Sequence, residues 1–503
     1  MDGPRTVARP HPSAARTRGT GACGVKILFA TSEAVPLVKT GGLADVSGAL
    51  PLALRREGAD VRLLMPGYRS VLTGAGDGWK TVADLALPPF PPARLLATTL
   101  PGGLPLLAIE CPPLFDREGG LYQRRAGEDW PDNDIRFGLL SRVAALLAQE
   151  SSPIGWRPDL LHCNDWQTGL APAFLATSGG GAPTLLTIHN LAFQGIFQTG
   201  TLARVGLPWD LYRVDGVEYY GNISFLKAGI QFATRLTTVS PTYAREIQSE
   251  PLGFGLQGLL AWRSRDLTGI LNGIDEQTWD PARDPHLPRR YDATSLPRKE
   301  ASKRALQVAL GLDPDPKAPL LGAVSRLTHQ KGLDLLIACI EPLLESGLQL
   351  AVLGSGEPEL ESAFTGLAQR YPGRAGVRLG FDEAFSHLVE AGADFFVMPS
   401  RFEPCGLNQM YSQRYGTPVV ARTTGGLADS ITDAGAGPGT VPDATGFLFR
   451  DPTPEALAEA LDRAVGAFAH RRVWRRMQRA GMARDFSWDA AARTYLELYG
   501  SLV

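Results

Sequence analysis

The sequence predicts an α/β protein built on two parallel sheets with helices on both faces, the sheets sharing one cleft. Three observations carry that expectation. Short apolar runs of strand length alternate with helix-period patterns along nearly the whole chain, which is the signature of strand–helix–strand units. The chain has 503 residues, about three times the ~150 residues expected per domain, so one core is not enough. Between about 280 and 318 it turns polar and carries Pro281, Pro285, Pro288, Pro297, Pro314 and Pro316, as a passage between domains does.

Taken in order, Val25–Ala30 reads as the first strand, Leu43–Arg56 as the helix after it and Val61–Met65 as the second strand. Residues 66–133 are dense in Pro and Gly and read as a loop-rich insertion. Further strands are expected at 159–163, 184–188, 235–239 and 267–271. After the Pro-rich passage they are expected at 320–325, 348–353, 376–380, 394–399 and 418–421, with a helix over Gly332–Ser346. At the end, Trp488, Ala492, Tyr495, Tyr499 and Leu502 recur at helical spacing with Ser487 in the N-cap position. Residues 1–24 carry Arg5, Arg9, Arg16 and Arg18 but no apolar run, and are expected to be a disordered N-terminal extension.

Composition narrows the function before any motif does. Apolar residues make up 44% and charged residues 20% of the chain, a globular balance. Lys+Arg total 50 against 52 Asp+Glu, a formal net charge of −2. That balance excludes the strongly basic nucleic-acid binder and the acidic solvating protein, so no nucleic-acid partner is expected. No apolar run approaches the ~18 residues that span a bilayer, so no membrane partner is expected either. Five cysteines, at 23, 111, 163, 339 and 405, are odd in number and scattered; without an export signal they predict free thiols and a cytoplasmic location. There is no CxxC, HExxH or His/Cys cluster, so no metal is expected.

In open α/β sheets ligands bind beyond the carboxyl ends of the strands, and there the polar residues of this chain collect. Lys39, Gly41, Gly42 and Asp45 follow the first strand; Asn164, Asp165 and Trp166 follow 159–163; His189 and Asn190 follow 184–188; Asn272 follows 267–271. In the second half Arg326 and Lys331, then Gly354, then Glu403, Cys405 and Gly406 hold the corresponding places. Gly41-Gly42 opens a helix, whose free N–H groups favour an anion. Arg326 offers a planar fork to phosphate oxygens and Lys331 a point charge, so two cationic clusters facing one cleft fit a diphosphate. Glu403 reads either as a cap of the next helix or as a carboxylate that accepts two sugar hydroxyls. Asp165 is open to the same two readings, and His189 reads as a core residue or a site residue. One echo links the halves: Thr40-Gly-Gly-Leu-Ala-Asp45 returns as Thr424-Gly-Gly-Leu-Ala-Asp429, each copy after a strand and at the head of a helix. The expectation is two similar loops, with Thr424 and Gly425 in the second, presented to a common ligand. The basic run His470–Arg479 reads as a solvated helix face.

Five segments then resemble, in order, the signatures of the bacterial glycogen synthase and plant starch synthase family. They are Lys39-Thr-Gly-Gly-Leu-Ala-Asp-Val46, Thr187-Ile-His-Asn190 with Gln194-Gly195, Ser240-Pro-Thr-Tyr-Ala-Arg-Glu246, Ser325-Arg-Leu-Thr-His-Gln-Lys-Gly332 and Glu403-Pro-Cys-Gly-Leu-Asn-Gln409. The resemblance implies the GT-B glycosyltransferase architecture, two Rossmann-like domains facing a central cleft. The first, acceptor-side domain would span 25–275, completed by a C-terminal helix at 487–503, and the nucleotide-sugar-binding domain 276–486. It also implies transfer of glucose from ADP-glucose to the non-reducing end of an α-1,4-glucan, glycogen or maltooligosaccharide, with retention of configuration and with no cofactor or metal.

By the same resemblance, Lys39, Gly41 and Gly42, with Asp45 beside them, lie near the phosphates, and Arg326 and Lys331 hold the diphosphate. Glu403 grips the glucose 3- and 4-hydroxyls beside the backbone of Cys405, Gly406 and Leu407. His189 and Asn272 line the sugar site, and Asp165 and Tyr122 sit on the acceptor side. Asn190, Gly354, Thr424 and Gly425 complete the expected substrate contacts. Phe381 stands where many relatives have a tyrosine beside the adenine; it keeps the stacking face and loses the hydroxyl, which leaves UDP-glucose open as donor.

The expected catalytic group is Glu403, His189, Arg326, Lys331 and Asp165. Retention fits a front-face route, in which the leaving phosphate takes the acceptor's proton, or a protein nucleophile. The front-face route is the expectation, since Glu403 and Asp165 form no recognisable glycosidase pair. Readings that share part of the pattern are a related GT-B enzyme with another donor or acceptor, a nucleotide-sugar epimerase and a non-catalytic glucan-binding protein.

Overall fold

The computed structural model describes residues 24–76, 78–125, 127–437 and 439–503. The extension expected over 1–24 lies outside the described residues except for Gly24, whose N–H bonds the Gly58 carbonyl at 3.0 Å.

The first sheet has nine strands: β1 Lys26–Ala30, β2 Asp60–Pro66, β3 Lys80–Leu85, β4 Ala93–Thr99, β5 Pro105–Glu110, β6 Leu160–Asn164, β7 Thr184–Ile188, β8 Arg235–Thr238 and β9 Leu267–Gly269. Their spatial order is β9-β8-β7-β6-β1-β2-β5-β4-β3. β1 is central, with Ile27 in register with both Val61 and Leu160. Ile27–Ala30 are fully buried, as in a strand covered by helices on both faces. The pairs from β9 to β5 are parallel, but β4 and β3 run antiparallel and form one edge.

That edge corrects the reading of 66–133 as a loop-rich insertion. The segment contains β3, β4 and β5, and half of its prolines sit in the turns between them, Pro88, Pro89, Pro91 and Pro92 before β4 and Pro101 before β5. Composition averaged over the segment reported the turns and hid the strands.

The second sheet is all parallel: β10 Leu320–Val324, β11 Gln349–Gly354, β12 Ala375–Leu379, β13 Phe395–Met398, β14 Val419–Arg422 and β15 Gly446–Phe449, in the order β12-β11-β10-β13-β14-β15. β15, four residues long, was not among the expected strands; it is flanked by the turn-forming run 442–445 and by Arg450-Asp451-Pro452. The helix expected over Gly332–Ser346 is two helices, Leu333–Cys339 and Glu341–Glu345. Pro342 lacks the N–H a helix interior needs and instead sits in the first turn of the second piece.

The chain crosses between domains twice, side by side. The Ile274 N–H bonds the Phe486 carbonyl at 2.8 Å, and a Cβ on Gly273 would come within 2.7 Å of the Trp488 backbone. Past that point Trp279 stacks between His387 and Tyr411, with ring centroids 3.8 Å from each. Tyr291 is buried with Leu296 and Tyr415, so the Pro-rich passage is fastened to the second domain. The helix Trp488–Gly500 returns to the first domain. Ser487 caps it by accepting the Ala490 N–H, Arg56 pairs with Asp489 at 2.6 Å, and the Tyr499 hydroxyl meets His162 Nδ1 at 2.8 Å. Its faces at Trp488, Ala492, Tyr495 and Tyr499 join the first domain's core.

The helix Arg471–Met482 buries Trp474, Met477 and Gln478 and leaves its arginines exposed, the face expected from sequence. Among the described residues no helix is long and apolar enough to cross a membrane.

Candidate active site

Each sheet has a point where strand order reverses, between β1 and β6 in the first and between β10 and β13 in the second. Loops diverge there and leave room for a ligand. Between the two points lies a cavity of about 860 Å³. It is lined by Glu403, Arg326, Lys331, Cys405, Gly406 and Leu407 from the second domain, and by Gly41, Gly42, Asp45, Tyr122, Asp165, His189, Asn190 and Asn272 from the first.

On the second-domain wall the Lys331 ammonium donates to Glu403 Oε2 at 2.5 Å, and the Ser400 hydroxyl donates to the same oxygen at 3.0 Å. Glu403 is only 5% exposed. Both protein bonds fall on one oxygen, so Oε1 is left for another donor. Glu403 does not cap the helix Asn408–Arg414, whose N-cap is Leu407. Arg326 is exposed and, among the described residues, makes no side-chain hydrogen bond or ion pair.

On the first-domain wall, Asp165 holds φ 54, a left-handed backbone. Its side chain does not cap the following turn. Instead Oδ1 accepts the His189 N–H at 2.7 Å, and the Asn190 N–H also bonds the carboxylate. Burial, only partly offset by these bonds, pushes the Asp165 carboxyl up to about 7. His189 Nε2 lies 2.9 Å from Asn164 Oδ1, while Asn164 Nδ2 donates to the Ala30 carbonyl at 3.0 Å. The Asn164 amide is thereby oriented, so Nε2 of His189 carries the proton and Nδ1 remains an acceptor. Burial lowers the His189 pKa to about 3, which keeps the ring neutral. Asn272 presents a buried Oδ1 that no group among the described residues satisfies.

Two participants were not singled out from sequence. Glu33 is buried in the cavity wall; its Oε2 accepts the N–H groups of Thr40 at 2.6 Å and Gly41 at 3.1 Å, and its Oε1 accepts the Tyr122 hydroxyl at 2.8 Å. Burial raises its pKa against the pull of those bonds. Ser400 is the other. Both stand in loops that leave strands β1 and β13, so the strand-end rule, applied from the first residue of each loop, would have found them.

Five expected contacts lie outside the cavity lining. Lys39 is half exposed and pairs with Asp45 at 2.7 Å. Gly354 lets two strand-end loops touch, since a Cβ there would collide with the Ser325 carbonyl. Phe381 is 87% exposed beyond β12. Thr424 and Gly425 stand behind the site. The Thr424 hydroxyl donates to Glu246 Oε1 at 3.0 Å and the Gly425 N–H to Oε2 at 3.1 Å, and Glu246 belongs to the first domain. Asp429 of the same segment accepts the Thr242 N–H and hydroxyl at 2.7 Å each. A Cβ on Gly425, at φ 43, would collide with the Glu403 carbonyl, and one on Gly426 with the Cys405 carbonyl. The expectation of two loops facing one ligand is thus corrected: the second copy joins the domains and supports the Glu403 loop from beneath, because close backbone packing leaves no room for substrate.

Residues 26–262 match the starch synthase catalytic domain family, and residues 311–479 match the glycosyl transferases group 1 family. The chain is 53% identical to a glycogen synthase of Nitrosomonas europaea over 95% of this chain and 98% of the relative. It is 53% identical to a glycogen synthase of Aromatoleum aromaticum over 95% and 97%. Among solved structures it is similar to the catalytic domain of starch synthase IV from Arabidopsis thaliana bound to ADP and acarbose, at 35% identity and a TM-score of 0.82, covering 95% and 99% of the two chains. It shares its fold with sucrose-phosphate synthase from Thermosynechococcus elongatus, at 20% identity and a TM-score of 0.57 over 95% and 99%.

Proposed function

The chain belongs to the glycogen synthase and starch synthase family, glucosyltransferases of the GT-B architecture, and from that premise we propose that it transfers glucose from ADP-glucose to the 4-hydroxyl at the non-reducing end of an α-1,4-glucan, with retention. The observation that carries this reading is the Lys331–Glu403 pair beside the unpaired Arg326, at the strand-order reversal of the second sheet.

In this reading Arg326 and Lys331 neutralise the diphosphate as the bond to the anomeric carbon breaks, which is where negative charge develops. They do so without a metal. Glu403 Oε1 accepts the glucose 3- and 4-hydroxyls. Asn272 Oδ1, buried and unsatisfied, accepts another sugar hydroxyl, as does Nδ1 of His189. A neutral His189 supplies shape and an acceptor and carries no charge to the reaction. Asp165 acts through the backbone: by fixing the His189 and Asn190 N–H groups it positions the loop after β7, and this engagement argues against its serving as a nucleophile. Glu403 is likewise held by Lys331 and Ser400. The front-face route follows: a phosphate oxygen of the departing ADP takes the proton of the acceptor hydroxyl, which attacks from the same side. The buried Cys111, Cys163 and Cys405 and the half-buried Cys339 are all unpaired, in keeping with a cytoplasmic, reducing setting.

The test is the initial rate of ADP or UDP release from ADP-glucose and from UDP-glucose, with and without glycogen. ADP-glucose with glycogen is expected to be the one fast combination. Glu403→Gln is expected to cut kcat about 100- to 1000-fold, the scale for losing one group placed against developing charge, with donor binding little changed. Arg326→Ala and Lys331→Ala are expected to lose both. Near-normal turnover by Glu403→Ala sinks the role of Glu403; nucleotide release independent of glucan sinks the transferase reading.

A further inference from the structure

Strand β8 ends at Thr238, and the segment that follows it, Ser240 with the helix Pro241–Glu246, holds loops of both cavity walls. Ser240 is fully buried. Its hydroxyl caps the helix by accepting the Tyr243 N–H at 3.1 Å, and it donates to the Pro404 carbonyl of the second domain at 2.7 Å. A hydroxyl can do both at once. The Pro404 carbonyl also accepts the Gly426 N–H at 3.2 Å, so it is gripped from both domains. It belongs to the peptide that joins Pro404 to Cys405, with Glu403 on one side and the Cys405–Leu407 backbone on the other, all in the cavity lining. From the same helix, the fully buried Tyr243 accepts the Leu191 N–H on its hydroxyl at 3.0 Å, two residues after His189. The backbone of Ser240 is close-packed on β9, where a Cβ on Gly269 would come within 2.2 Å of the Ser240 carbonyl.

We propose that Ser240 is a positioning residue for the transfer: through the Pro404 carbonyl, its hydroxyl sets Glu403 against the donor sugar. The proposal rests on the role of Glu403 proposed above. Lys331 and Ser400 hold the Glu403 carboxylate from within the second domain. Ser240 adds a hold from the first domain. Tyr243 braces the His189 loop from the same helix, so the His189 wall and the Glu403 wall are referred to one support. The Ser240 bond spans the domains, so it exists only while they are together, and Glu403 is then aimed by a contact between them. Transfer depends on the placement of the reacting groups, and a misplacement of roughly 1 Å costs on the order of 100-fold. Ser240 is not in the cavity lining. Its effect therefore falls on kcat, through Glu403, and not on donor binding, which Arg326 and Lys331 carry from a separate loop.

The experiment measures kcat, KM for glycogen and the dissociation constant of ADP for Ser240→Ala, Ser240→Gly and Thr453→Ala, and repeats Ser240→Ala in a Glu403→Gln background. Glycine caps a helix nearly as well as serine, so Ser240→Gly loses the Pro404 bond with the cap largely kept. Thr453 caps the helix Pro454–Ala469 and is not in the cavity lining, so Thr453→Ala loses a cap away from the site. Both Ser240 variants are expected to lower kcat about tenfold, with glycogen KM and ADP binding within about twofold of wild type. Retained ADP binding shows that the variants are folded. Thr453→Ala is expected to keep kcat within about twofold. On top of Glu403→Gln, Ser240→Ala is expected to add less than about twofold, because a group that acts through another is not additive with it. A full loss in that background overturns the proposal, since Ser240 would then act independently of Glu403. So does a normal kcat for Ser240→Gly, or an equal loss of kcat in Thr453→Ala, which would make the effect one of stability. If Glu403→Gln turns over like wild type, the role of Glu403 is wrong and that of Ser240 falls with it, a failure read from that variant alone.

Discussion

The two copies of Thr-Gly-Gly-Leu-Ala-Asp have the same letters and each heads a helix, yet the helix starts one residue later in the first, Gly425 alone takes a positive φ, and the two copies face opposite things. In each copy the polar groups around Thr-Gly bind a glutamate carboxylate: Glu33 at Thr40 and Gly41, Glu246 at Thr424 and Gly425. In the first copy that glutamate comes from the preceding loop, and Gly41 and Gly42 stay open, with nothing within 4 Å of where a Cβ would stand. In the second the glutamate comes from the other domain, and both glycines are pressed against the Glu403–Cys405 backbone. The motif therefore encodes an anion-accepting turn at the head of a helix. Whether that turn forms a wall of the site or a floor beneath it is settled by what packs on it.

The comparison breaks most sharply at the glycines. Gly425→Ala puts a Cβ at a positive φ and into the Glu403 carbonyl, so it is expected to cost at least about 2 kcal/mol of stability and most of kcat. Gly41→Ala is expected to leave the thermal midpoint within the change of about 0.5 kcal/mol usual for surface sites and to act, if at all, on KM. Thermal denaturation and steady-state rates on both variants decide this; equal behaviour would mean that the two copies are not differently packed.

A smaller difference is expected at the two glutamates. Glu33→Ala takes the acceptor from the Thr40 and Gly41 N–H groups and leaves the Tyr122 hydroxyl with Ser32 alone, a loss of about 1–3 kcal/mol, and is expected to lower kcat/KM about tenfold or more. Glu246→Ala removes two bonds between domains. Its expected signature is a larger radius of gyration in solution scattering, with a rise in KM of about threefold and kcat nearly kept. If Glu246→Ala lost kcat as Glu33→Ala does, the seam would be part of the chemistry.

The smallest effect concerns pH. Burial raises the pKa of Glu33, Glu246 and Asp165, the last to about 7 from an ordinary 3.8. Between those two values the folded protein keeps a proton on Asp165 that the unfolded chain has lost, so this group's contribution to stability falls as pH rises through that window. Asp165→Asn has no proton to lose. Relative to wild type it is expected to gain in thermal midpoint between pH 5 and pH 8, and an unchanged slope would show that Asp165 does not titrate there.

Much of the molecule was legible from the chain alone. The alternation of patterns predicted both sheets, and the rule that ligands gather beyond strand ends picked out Asp165, His189, Asn272, Arg326, Lys331 and Glu403, all of which line one cavity. The rest was hidden for physical reasons. β3 to β5 were masked by prolines in the turns between them, and β15 by the turn-forming residues on both sides of it.

What the sequence determined by itself is whatever depends on near neighbours: strand and helix periods, the Ser487 cap, the break at Pro342, and the helix that opens at each Thr-Gly-Gly. The tertiary structure alone decided what each turn receives. Glu33 is 7 residues from Thr40, whereas Glu246 is 178 residues from Thr424 and on the other domain. A helix start is written locally, and it leaves N–H groups without partners whatever surrounds it. The partner that fills it is set by the packing of distant segments, which no window of sequence contains.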